Sequence, residues 1–178
     1  MTQQQYKQIF KNDLKEYLLS HGKVDERLPE APDLEALWLK IGQAYLPDGM
    51  REYNSYPTVA LGWMMYTGMA LAKYWDEDWE VYGKVENLYT YLLGKTDYDH
   101  LDDYIRGKVL QLTAEESKAL ELLVGECASR TYSQIRRLRI EPSTNDAFHA
   151  FLGALHQMYL FGIAVELKTL GYRMTAIG

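Results

Sequence analysis

The chain has 178 residues, 47% hydrophobic and 25% charged, with a formal net charge of -6, a pI near 5.2 and a single cysteine. That length suits one domain, 1–178, with its own core, and one cysteine excludes an internal disulfide framework. The acidic balance argues against coating nucleic acid or anionic lipid, both of which need a basic surface.

Helical periodicity runs from end to end, with no period-two alternation joined by hairpin turn chemistry, so the expected fold is an all-α compact bundle of six or seven helices. The first residues hold no basic stretch leading into an apolar segment, which makes the cytoplasm the expected compartment. A first helix over about 3–21 places Tyr6, Ile9, Phe10, Leu14, Tyr17 and Leu18 on one stripe, keeps its other face polar and stops at Gly22. After a proline-bearing loop, Asp33 is placed to cap a second helix, with Leu34, Leu37, Trp38, Ile41 and Tyr45 inward and Pro47-Asp48-Gly49 as its stop.

The run 57–75 carries one charge, Lys73, and is otherwise apolar, aromatic or small. A helix apolar all round has no water-facing side. It is long enough for a membrane span, but Thr58, Thr67 and Lys73 lower its hydrophobicity, and Asp76-Glu77-Asp78 follow at once, without a flanking basic cluster. It is therefore expected as a buried helix, opened by Pro57 and with Ser55 near enough to cap it. Asp76–Asp78 then open a fourth helix ending at Gly94, Thr96 and Asp99 suggest a capping box for a fifth, and Thr113-Ala114-Glu115-Glu116 a box for the sixth. The sixth and seventh helices, about 114–140 and 145–170, are matched in length at about 38 Å. They form a C-terminal antiparallel hairpin, broken at Glu141-Pro142-Ser143, with Ser143 and Asp146 as the second arm's cap.

Three groups of residues bear on function. His149, Gly153 and His156 fall at i, i+4 and i+7, nearly one helix face, with the glycine as a notch between imidazoles that flank a small anionic ligand or supply a general base. The competing reading is close helix packing at Gly153. Arg136, Arg137 and Arg139, with Arg130 upstream, end the sixth helix beside the N-terminus of the seventh, where an anion site and an ordinary salt-bridged surface compete. Asp99, His100 and Asp103 offer oxygen and imidazole ligands to a metal, although acids in a first helical turn already answer the helix dipole.

Fifteen tyrosines, many around the central helices with Trp63, Trp75 and Trp79, read as an aromatic core whose hydroxyls reach its rim. Cys127, among Leu123, Val124 and Ala128, reads as an inert core thiol, and no glycine-rich phosphate loop, zinc motif or cysteine cluster calls for a cofactor. The leading expectation is a non-catalytic binding or assembly protein. It self-associates as a homodimer through the seventh helix or the 57–75 helix, with no nucleic-acid or membrane partner. The alternative is a small-molecule or anion binder, or an enzyme, using the His149/Gly153/His156 notch near Arg136, Arg137 and Arg139. The third is a metal protein centred on Asp99, His100 and Asp103.

Overall fold

Thr2 opens the first helix by a reciprocal capping box, its hydroxyl accepting from Gln5 N–H while the Gln5 side chain accepts from Thr2 N–H. The structure, a computed structural model, describes residues 1–173. Eight α-helices follow one another among them: α1 (Gln3–Ser20), α2 (Pro32–Ser55), α3 (Pro57–Glu77), α4 (Trp79–Lys84), α5 (Leu88–Leu93), α6 (Leu101–Tyr104), α7 (Ala114–Arg137) and α8 (Asn145–Thr169). A π-helical turn, Ile105–Val109, continues α6. There is no strand among the described residues. The fold is an all-helical bundle.

The buried helix expected over 57–75 is α3, with Ala60 to Leu61 and Met64 to Ala72 inside the core. Its main partner is α8, equally apolar and almost wholly buried. The two cross at Gly68 and Gly162, where a Cβ on either glycine would overlap a carbonyl oxygen of the other helix, Tyr159 for Gly68 and Met65 for Gly162. Beyond the crossing Trp75 reaches Tyr172, so α3 and α8 run in the same direction. α1 runs along them too, with Lys7 against Gly153 at one end and Val24 O accepting from Lys168 Nζ at the other. α7 returns antiparallel, tied by Arg130 to Asp13 of α1 and by Thr131 Oγ1 to Met158 Sδ of α8.

Both apolar helices that pointed to a homodimer are thus covered within one chain. α8 alone among the described helices is long and apolar enough to cross a membrane, and 89% of its most apolar stretch is buried inside the fold.

Several boundaries are corrected. Pro47 does not stop α2, which continues to Ser55. Side-chain contacts flank the proline on both sides: Tyr45 Oη donates to Ala60 O at 2.6 Å, its ring lies over Gly49, and Asp48 accepts from Tyr89 Oη while pairing with Arg51. Asp33 lies inside the first turn of α2, whose preceding residue Ala31 makes no side-chain cap, and Ser55 is still helical, so it does not cap α3. The expected fourth helix is two: Val85 ends α4 and Asn87 caps α5, accepting from Thr90 N–H and donating to Lys40 O. The Thr96/Asp99 box is replaced by Asp97, which accepts from His100 N–H. Thr113 and Glu116 do form their box on α7. α8 is capped by Thr144 rather than by Ser143, which takes a φ of 61° in the hairpin turn.

Candidate functional site

The sequence places His156 one turn beyond Gly153, and the two do meet at one wall of a cleft, though not as a notch for a ligand. A Cβ on Gly153 would meet Lys7 Cγ at 3.3 Å and Tyr6 Cβ at 3.5 Å, so the glycine admits α1, not a bound molecule. The stem of Lys7 crosses there, and Lys7 and Lys11, one turn apart on the polar face of α1, line the cleft. The loop residues Leu28, Pro29, Glu30 and Ala31 form its rim, Leu34 and Glu35 of α2 its far wall, and His156, Gln157 and Leu160 of α8 its floor. The cavity measures about 560 Å³, within the range of small-molecule sites.

His156 is 4% exposed and stacks on Trp38, ring centroids 4.8 Å apart at 16°. Neither of its ring nitrogens makes a hydrogen bond among the described residues. Glu35 Oε2 lies 3.1 Å from Nε2, but its approach lacks hydrogen-bond geometry, so the close distance leaves the imidazole unsatisfied. Burial first, and the positive charge of Lys7 second, push the His156 pKa down to about 3. The ring is therefore neutral at pH 7, a donor at one nitrogen and an acceptor at the other. A group so weakly basic takes up a proton poorly, which weighs against a general base poised near neutrality. Lys7 is held below its ordinary value by burial, partly countered by Glu35. Lys7 and Lys11 make no ion pair among the described residues.

The other predicted residues are dispersed. His149, only partly buried, has Phe148 as its ring neighbour and is absent from the cleft. Arg136 lies over the Tyr132 ring and is exposed, as is Arg137. Arg139, at a φ of 50°, borders a separate hollow with Glu141, Thr144 and Asp146, where carboxylates already face the α8 N-terminus. Arg130 is taken by Asp13. His100 Nδ1 pairs with Asp97 at 2.7 Å on the surface just before α6, and Asp103 pairs with the buried Arg106 beyond its other end. No group of three or more His, Cys, Asp or Glu side chains among the described residues is arranged to hold a metal ion. Burial drives the Cys127 thiol up to about 12, which leaves it unreactive at neutral pH.

Sequence reasoning missed Lys7, Glu35 and Gln157 and gave Trp38 only a place in the core. It also missed Arg106, 5% exposed, which the π-helical turn aims at Tyr66 Oη (2.8 Å), Ser117 Oγ (3.0 Å), Asp102 and Asp103. Every arm of that guanidinium is engaged, so it reads as a structural tie. Compared with models of protein families, with curated proteins and with solved structures, the chain matches none.

Two buried groups set opposing pH dependences. His156 binds its proton more readily unfolded, so its contribution to stability is lost as pH falls from about 6.5 towards about 3. Glu166 on α8, 7% exposed, is raised to about 7 by burial, with Lys73 opposing and Glu77 and Asp76 adding to the rise. It binds its proton more readily folded, so stability is lost as pH rises from about 4.5 through about 7. Urea midpoints measured from pH 4 to 8 are expected to show Glu166→Gln flattening the upper limb and His156→Phe the lower one. Parallel wild-type and mutant curves would refute the assignment.

Proposed function

We propose that the protein binds a small polar molecule in the cleft over His156. The observation that carries this reading is the imidazole itself: buried, neutral, lacking any hydrogen bond, and set in the floor of an open cavity. Burying a polar group without a partner costs about 1–3 kcal/mol, and a ligand that drew the Glu35 carboxylate away from Nε2 and took its place would recover it. The surrounding charges and amides of Lys7, Lys11, Gln4, Gln8 and Gln157 add polar contacts, and the Trp38 stack fixes the ring plane. A weakly basic histidine favours binding over proton transfer, in keeping with a non-catalytic role.

The test is native mass spectrometry of freshly purified protein, followed by a mixed small-molecule screen read by NMR of histidine-labelled protein. A retained or added compound is expected to shift the His156 ring signals. His156→Phe keeps an aromatic ring on Trp38 but removes both nitrogens, and is expected to weaken binding at least tenfold, about 1.4 kcal/mol. Compounds that bind without touching the His156 signals would move the site elsewhere.

A further inference from the structure

The charges around the cleft are separated by sign. Lys7 and Lys11 stand on α1, and Glu35 stands on α2 across from them, with Glu30 on the rim. His156 lies between: its Nε2 is 3.1 Å from Glu35, and Lys7 is close enough to disfavour its protonation. Lys7 and Glu35 feel one another but do not pair, since no ion pair joins them within 4.0 Å. One cation and one carboxylate thus flank a neutral imidazole across an open gap. A simple anion would meet Glu35, and a simple cation would meet Lys7 and Lys11, each repelled at one wall. A molecule carrying both charges as groups on one carbon meets attraction at both.

The remainder of the lining is three glutamine side chains, Gln4, Gln8 and Gln157, and a group of apolar residues. Leu28, Pro29, Leu34 and Leu160 leave room beside the charged strip for a hydrocarbon group.

Resting on the cleft reading above, we propose that the ligand is a zwitterion of the α-amino-acid type with an apolar side chain. Its carboxylate lies towards Lys7 and Lys11, its ammonium towards Glu35, and its side chain against Leu28, Leu34 and Leu160. As the ammonium draws Glu35 from over His156 Nε2, the neutral imidazole is uncovered at the floor, and Gly153 enters indirectly, by letting the Lys7 stem lie close against α8.

The test compares three probes that share one hydrocarbon body: L-leucine, L-leucinamide, which lacks the carboxylate, and 4-methylpentanoate, which lacks the ammonium. Binding is followed by calorimetry and by the His156 ring signals of the full chain. Leucine is expected to bind at least tenfold more tightly than either analogue. Lys7→Met is expected to erase its advantage over the amide, and Glu35→Gln its advantage over the acid. Both sites are partly exposed, so these variants should fold, and circular dichroism checks that they do. If the acid or the amide binds as tightly as leucine while shifting His156, the cleft is a binding site but the zwitterion is wrong. If none of the three shifts His156 at 10-millimolar order (about 10 mM, a weak-binding limit near 3 kcal/mol), the zwitterion is also wrong. The broader screen then decides separately whether the cleft binds anything.

Discussion

Gly68→Ala is expected to lower stability by about 3 kcal/mol or more, and Gly162→Ala to do likewise, as measured by urea unfolding. The added methyl group at either position meets a backbone carbonyl, Tyr159 O or Met65 O, instead of the end of a side chain that can rotate away. α3 and α8 can relieve the overlap only by moving apart, and together they carry the centre of the core. Alanine favours a helix over glycine by about 1 kcal/mol, which acts against the loss but is too small to cancel it. Gly125 of α7 provides the control, since a Cβ there meets nothing within 4 Å. Gly125→Ala is expected to raise stability by about 0.5–1 kcal/mol. The same substitution should therefore change sign between two helices, and a destabilised Gly125→Ala with a neutral Gly68→Ala would contradict the crossing described.

What the sequence shows and hides follows from the range of each interaction. A helix apolar on every side must be buried, so α3 can be recognised without knowing its partner; the same composition marks α8. Thr113 and Glu116 are three residues apart, and their box is equally local. Pro47 reads as a stop because the contacts that flank it in α2 are remote: Ala60 O accepts from Tyr45, and Tyr89 donates to Asp48 from 41 residues away. Asn87, by contrast, was a local cap signal that the expected fourth helix passed over.

The site divides in the same way. Gly153 and His156 stand out on one helix face, but the residues that turn His156 into a candidate come from α1 and α2, more than 100 positions earlier. Lys7 and Lys11 belong to what reads as the solvated face of an amphipathic helix, and only the fold brings that face over the imidazole. His149 shares the helical spacing yet not the cleft, which shows how little a shared face says about a shared environment.

Arg106 is where removal of one side chain should have the other large effect. Arg106→Leu is expected to cost about 3–5 kcal/mol, because the guanidinium is buried and holds three elements together: Asp102 and Asp103 of α6, Tyr66 of α3 and Ser117 of α7. Leucine fills part of the space but strands Asp102, whose side chain is only 16% exposed and whose carboxyl is already pushed above its ordinary value by burial. Without its cation that pKa rises further. A carboxyl that binds its proton more readily in the folded state loses stability as pH rises through its folded pKa, so the deficit of Arg106→Leu should be larger at pH 7 than at pH 4. Adding Asp102→Asn removes the stranded charge and is expected to recover part of the loss at pH 7 but little at pH 4. That non-additivity, read from a double-mutant cycle at the two pH values, distinguishes an uncompensated charge from a mere cavity, which would cost the same at both. Arg106→Lys should not rescue fully, since one ammonium on a flexible stem cannot reach Tyr66, Ser117 and two carboxylates at once. Arg106 stands in the π-helical turn, closed by Leu110 N–H donating to Ile105 O (2.8 Å), in which Ile105, Arg106 and Val109 are all buried.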